Sequence, residues 1–232
     1  VIVQSPPGTL PVSEIFTSIQ GEGLRTGVPS TFVRFVGCNL ACSWCDTPYT
    51  WREDVLDPGT PLAPEAIAAR IETRDVVLTG GEPTLHDLGS LLDVLPGRFV
   101  TVETNATRYV DDARVNLWSL SPKLGSSGMR PNRRVLGEFL THATDRVQLK
   151  FVVDGPEDLA AVEALLDDLA VPESIPVILQ PVGFPTDTPE PYLDRLRKLV
   201  ETHVLTRASW RERNARVTPQ LHRLIWGDRR GI

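Results

Sequence analysis

This 232-residue chain has three cysteines, and all fall within one short stretch, Cys38-Asn-Leu-Ala-Cys42-Ser-Trp-Cys45. Thiolates at CxxxCxxC spacing can hold three corners of a cubic 4Fe–4S cluster and leave the fourth iron without a protein ligand. An iron with an open position can bind a small molecule and act on it, which a four-thiolate electron-transfer cluster does poorly. Other readings stay open at this point. Structural zinc closes four ligands, and the nearest histidine, His86, has no second Cys or His beside it, so zinc would need a distant fourth ligand. Chance clustering of structural cysteines is the blandest alternative. A disulfide would strand one thiol. The residues Val1-Ile2-Val3-Gln4-Ser5-Pro6-Pro7 carry no signal-peptide pattern, so a reducing, cytoplasmic location is expected.

Composition narrows the partners. A hydrophobic content of 41% with 23% charged residues is ordinary for a globular protein and gives ample core for one domain. The net charge of −6 argues against a nucleic-acid footprint. No apolar run approaches the roughly 20 residues that cross a bilayer, so no membrane partner is expected. Without a repeat or clear linker, residues 1–232 are expected to form a single domain with its core at about 14–226.

The elements that must position the thiols follow from pattern. Short runs rich in Val, Ile and Leu predict strands at 31–36, 76–79, 99–103, 115–120, 147–153 and 176–180. Helical spacing predicts helices at 64–73, 156–169 and about 190–202. Strand–helix alternation predicts an α/β fold with a mostly parallel sheet, open or curved into a partial (β/α) barrel. Ligand-binding residues in such folds gather after the C-terminal ends of strands. The polar motifs lie there: Cys38 to Cys45, Gly80-Gly81-Glu82-Pro83, Thr104-Asn105, Ser121-Pro122-Lys123 and Gln180-Pro181-Val182-Gly183 each follow a predicted strand.

The cysteine loop and the following Thr79-Gly80-Gly81-Glu82-Pro83 together resemble the radical S-adenosylmethionine (SAM) superfamily. Further segments narrow this: Glu14-Ile15-Phe16-Thr17-Ser18-Ile19-Gln20-Gly21-Glu22-Gly23, Cys45-Asp46-Thr47, Glu103-Thr104-Asn105, Ser121-Pro122-Lys123 and Gln220-Leu221-His222-Arg223-Leu224-Ile225-Trp226. Together they resemble the 7-carboxy-7-deazaguanine synthase family over nearly the whole chain. That resemblance implies a radical SAM partial barrel that contracts the ring of 6-carboxy-5,6,7,8-tetrahydropterin to 7-carboxy-7-deazaguanine, with loss of ammonia, on the way to queuosine and other 7-deazapurines. It further implies a 4Fe–4S cluster, SAM, Mg²⁺, a homodimer and an external one-electron donor of flavodoxin or ferredoxin type.

Residue roles carry over position by position. Cys38, Cys42 and Cys45 would ligate three irons, and SAM would take the open one. Trp44, Asp46, Gly80, Gly81, Glu82, Glu103, Ser121, Pro122, Lys123, Gln180, Pro181, Val182 and Gly183 match SAM-binding positions. Thr47 matches a Mg²⁺ ligand, consistent with the oxygen preference of that ion. Ile19, Gln20, Gly21, Arg34, Thr79 and His222 match substrate positions, and the planar fork of Arg34 suits a bidentate carboxylate contact. His222 is divided between substrate contact and a structural hydrogen bond.

Blander roles are expected elsewhere. His86 is expected to start a helix, and Arg130 to Arg134 to be a solvated basic face. Leu221, Leu224, Ile225 and Trp226 are expected in core or dimer packing, while 125–132 has glycine and serine enough to close over the site. Two departures from the family stand out: Ala106 follows the ETN segment where glycine is common, and a tail, Gly227 to Ile232, extends past the LIW motif. Competing functions are another radical SAM enzyme, such as a glycyl-radical activase, and a non-catalytic electron carrier or zinc-stabilised module.

Overall fold

A computed structural model of the chain describes residues 1–227 and 229–232. Nine strands hydrogen-bond into one sheet that does not close on itself: β1 (Leu10–Ile19), β2 (Pro29–Phe35), β3 (Thr60–Leu62), β4 (Asp75–Gly80), β5 (Phe99–Thr104), β6 (Leu117–Leu120), β7 (Val147–Val153), β8 (Val177–Pro181) and β9 (Ala215–Val217). Their order is β3-β1-β2-β4-β5-β6-β7-β8-β9. From β2 to β9 every neighbouring pair is parallel, while β1 runs antiparallel to both β2 and β3. The expected mostly parallel α/β sheet is therefore present.

Between the strands run α1 (Pro64–Ala68), α2 (Gly89–Asp93), α3 (Arg133–His142), α4 (Pro156–Asp168), α5 (Pro189–Lys198), α6 (Ala208–Glu212) and α7 (Leu221–Trp226). Proline opens α1, α4 and α5, where its missing N–H has no intrahelical partner to lose. The Asn132 side chain caps α3 by accepting from Val135 N at 3.3 Å.

Side-chain alternation along the strands divides the sheet into two faces. Val33, Phe35, Leu78, Val102, Leu120, Leu149, Phe151 and Leu179 belong to the core cluster, together with Leu136 and Phe139 of α3 and Leu159, Val162 and Leu166 of α4. Each such buried side chain stabilises the fold by about 1.5–3 kcal/mol. The residues between them, Arg34, Thr79, Glu103 and Lys150, line a cavity at the other face. The pairing register sets Arg34 opposite Thr79 across the β2–β4 ladder.

Several sequence expectations need correction. β1 is a ten-residue strand, where the sequence suggested only a motif-bearing segment; its alternation is broken by a register shift between Val12 and Glu14. The 115–120 strand starts at Leu117, because Val115 N is turned back onto Asp112 O. The first helix stops at Ala68, short of 73, and the helix expected to about 202 ends at Lys198, followed by a π-helical stretch, Leu199–Val204.

His86 does not start a helix. It ends the short 3₁₀ turn Pro83–Leu85, and its Nε2 lies 2.9 Å from Val36 O. Arg130, Arg133 and Arg134 are exposed, as expected of a solvated basic face, but Arg133 and Arg134 also open α3, an unexpected helix whose other side packs Phe139 against Trp118 at 5.2 Å between ring centres. On α7, Leu221, Leu224 and Trp226 are only half-buried, Ile225 is 51% exposed, and Arg223 is the buried residue. Asp228 of the C-terminal tail lies outside the described residues. Among those described, no helix is long and apolar enough to cross a membrane.

Candidate active site

The cysteine loop leaves β2 and is held by backbone hydrogen bonds from three directions. Gly37 N donates to Thr50 O at 2.7 Å, Gly81 N to Phe35 O at 3.0 Å, and Glu82 N to Gly37 O at 2.7 Å. This zipper explains the glycine pair. A Cβ on Gly80 would lie 2.3 Å from Phe35 O, and one on Gly81 would lie 1.9 Å from Gly37 O. The glycine pair thus permits a close approach between two stretches of the chain's own backbone beside Cys38.

Glu82 anchors the next turn. Wholly buried, it accepts from Thr84 N (3.0 Å), Thr84 Oγ1 (2.7 Å), Thr104 Oγ1 (2.7 Å) and Asn105 N (2.6 Å). Burial pushes its carboxyl above the ordinary range, although these four donors pull the other way.

All three thiols are free and line a cavity of about 500 Å³. Cys38 Sγ accepts from Leu40 N at 3.4 Å, and Cys45 Sγ from Trp51 Nε1 at 3.3 Å. Such N–H donors stabilise thiolate ligands and tune a cluster. Burial pushes the Cys38 thiol up to about 11 and raises that of Cys42, so loading metal there releases protons. Among the described residues no three His, Cys, Asp or Glu side chains are grouped to hold a single metal ion. A cubane instead takes its thiolates at separate corners, and the cysteine triplet at the cavity wall suits that donor set. The loop is braced from outside by Ser43 N to Ser127 O (3.0 Å) and Trp44 Nε1 to Ser126 Oγ (3.2 Å), so the glycine–serine segment 125–132 packs on it.

The same lining carries polar side chains from several strands and loops. Glu103 accepts from Gln20 Nε2 at 3.1 Å and from Thr79 Oγ1 at 2.9 Å, tying β1, β4 and β5 together above the sheet. Arg34 donates from Nε to Glu14 Oε1 at 2.8 Å. Gly21 lies against His222; a Cβ there would sit 2.1 Å from Nδ1. On the same lining Glu22 pairs with Lys150 and accepts from Gln180 Nε2 (3.2 Å) and Gln220 Nε2 (2.7 Å). Burial alone would raise Glu22; the charges of Lys150 and His222 and hydrogen bonds from Lys150 and Gln220 override it and hold the carboxyl well below the usual range.

Ile19, Gln20, Gly21, Arg34, Trp44, Asp46, Thr47, Thr79, Gly80, Gly81, Glu103, Ser121, Lys123, Gly183 and His222 therefore line the same cavity as the three cysteines. Glu82, Pro122, Gln180, Pro181 and Val182 stand behind the lining: Glu82 in its own knot, Gln180 on Glu22, and Val182 N on Val153 O at 3.0 Å. Sequence reasoning gave no role to Lys150, Glu22, Tyr49 or Trp51, all of which line the cavity. A lone Lys between Leu149 and Phe151 in an apolar strand was the available signal for Lys150.

Comparison with known proteins agrees with this geometry. Residues 32–120 match the family model of the radical SAM superfamily. The 7-carboxy-7-deazaguanine synthase of Halobacterium salinarum is 36% identical over 94% of this chain and 91% of the relative, and that of Escherichia coli K12 is 33% identical over 93% and 97%. The crystal structure of QueE from Escherichia coli superposes with a TM-score of 0.70 at 31% identity, covering 92% of this chain and 95% of that one. With relatives 33–36% identical over more than nine-tenths of its length, the chain belongs to the 7-carboxy-7-deazaguanine synthase family.

Proposed function

We propose that the chain catalyses the radical ring contraction of 6-carboxy-5,6,7,8-tetrahydropterin to 7-carboxy-7-deazaguanine with loss of ammonia, in queuosine and 7-deazapurine synthesis. The observation that carries this is one cavity lined both by three free thiols and by Arg34, Gln20, Thr79 and Glu103. Cys38, Cys42 and Cys45 would hold a 4Fe–4S cluster, which together with SAM would supply the radical chemistry.

The chain's own residues do the rest. Arg34 offers its guanidinium fork to the substrate carboxylate. Gln20, Thr79 and Glu103 present donors and acceptors to a heterocycle edge. Phe16 and Phe32, stacked with ring centres 5.1 Å apart, form an apolar cavity wall that excludes water. Ser121, Lys123 and Gly183 border the SAM side, and Lys123 Nζ donates to Ser121 Oγ at 2.9 Å. Thr47, whose Oγ1 lies 3.7 Å from Cys45 Sγ, is the proposed protein ligand for Mg²⁺, with substrate oxygens and water completing the shell.

The proposal extends to a single-domain, cytoplasmic homodimer reduced by a flavodoxin- or ferredoxin-type carrier. The half-exposed apolar side chains of α7 support a self-association face. The test is anaerobic: reconstituted protein with SAM, Mg²⁺, a one-electron reductant and the carboxy-pterin is expected to form 7-carboxy-7-deazaguanine, read by mass spectrometry. Formation of 5′-deoxyadenosine alone would sink the substrate assignment and return the glycyl-radical activase alternative.

A further inference from the structure

We propose that Glu14 is a positioning residue that acts from outside the cavity to aim Arg34 at the substrate carboxylate. This rests on the proposed pterin reaction.

Glu14 does not line the cavity, yet three side chains that do converge on it. Arg34 Nε donates to Glu14 Oε1 at 2.8 Å, Tyr49 Oη donates to the same oxygen at 2.8 Å, and Arg230 Nε approaches Oε2 at 3.4 Å. Among the described residues the Glu14 bond is the one hydrogen bond of the Arg34 guanidinium, and it uses Nε. The two terminal nitrogens, which form the bidentate fork, are thereby left for a ligand.

The backbone explains how Glu14 reaches this place. It sits opposite Arg34 in the antiparallel β1–β2 ladder, immediately after the register shift at Val12. Such a shift re-aims side chains, and directly opposed residues share a face. The other oxygen of Glu14 extends the linkage to the tail. Arg230 lies 3.8 Å over the Tyr49 ring, pairs with Asp57 and donates to Ser13 Oγ at 3.0 Å. One carboxylate therefore joins the arginine fork to the tail that walls the same cavity.

A double-mutant cycle tests this with the loaded enzyme. Glu14→Ala is expected to raise the KM for the carboxy-pterin about tenfold or more, leaving the KM for SAM and uncoupled SAM cleavage unchanged. Glu14→Gln, whose carbonyl still accepts from Nε, is expected to fall between wild type and Glu14→Ala. Arg34→Ala is expected to raise the same KM, and Glu14→Ala added to it to change the KM by less than about twofold, because Glu14 then has no fork to aim. Multiplicative losses in the double variant, or an unchanged KM in both Glu14 variants, overturn the proposal. If Glu14→Ala does not fold, the cycle is run with Glu14→Gln and Arg34→Ala under the same criterion. Wild-type protein that cleaves SAM but never forms product would instead remove the pterin reading, and this inference with it.

Discussion

Asn105 donates its backbone N–H to the carboxylate of Glu82 at 2.6 Å, so the loop after β5 is fastened to the loop after β4. With Thr84 and Thr104 also donating to Glu82, the two strand ends and the cysteine loop form one unit. Glu82→Gln replaces one acceptor oxygen with a donor and leaves buried N–H or O–H groups unsatisfied, at about 1–3 kcal/mol each. A lower thermal midpoint and reduced iron content after anaerobic reconstitution are expected. An unchanged midpoint would contradict the role given to this carboxylate.

The Glu22–Lys150 pair gives a second prediction. Removing either partner strands a buried charge, and Lys150→Met or Glu22→Gln should each destabilise by about 3–5 kcal/mol. The double variant Glu22→Gln/Lys150→Met should recover much of that loss in urea unfolding; a simple sum of the two losses would argue against the pair.

The same pair sets a pH dependence. The folded-state value of Glu22 is depressed, so its contribution is present above the unfolded carboxylate value of about 4.5 and is lost as pH falls through the folded value. Wild type should therefore lose stability on acidification below about pH 4.5 more steeply than the double variant. Parallel curves would show that Glu22 is not the group responsible.

Gly81→Ala tests the backbone zipper. The added Cβ would meet Gly37 O at 1.9 Å, and no flexible side chain can yield there. Iron content and SAM-dependent spectral changes are expected to fall together, whereas Gly137→Ala, inside α3, should not affect either, since a Cβ there meets nothing within 4 Å and lies far from the thiols in sequence.

Magnesium supplies a further test. If Thr47 holds Mg²⁺ as proposed, chelation of Mg²⁺, or Thr47→Ala, is expected to lower product formation at least severalfold while leaving iron content and SAM cleavage intact, because that ion would bind substrate oxygens rather than the cluster. Loss of the cluster in Thr47→Ala would show that the threonine serves Cys45 instead, whose Sγ lies 3.7 Å from its Oγ1.

Much of the architecture was legible because short apolar strands ended in polar motifs, and both signals depended on the same parallel sheet. β1 was hidden because Glu14 and Gln20 read as motif residues and the shift near Val12 breaks strict alternation. α3 was hidden by Arg133 and Arg134, whose charges dominate its first turn while Leu136 and Phe139 carry the packing. Within the site, the thiols and Arg34 could be read from residue type and neighbours. Glu22 and Lys150 are 128 positions apart, and Gly81 meets Gly37; contacts of this kind follow from three-dimensional register, which no local pattern encodes.

The hydrogen bond from Gln220 to Glu22 spans 198 positions. During translation the three thiols and the first strands leave the ribosome long before Gln220 does. The nascent chain therefore exposes its three thiols while part of the chamber they line, Gln220 and the residues after it, is still unmade.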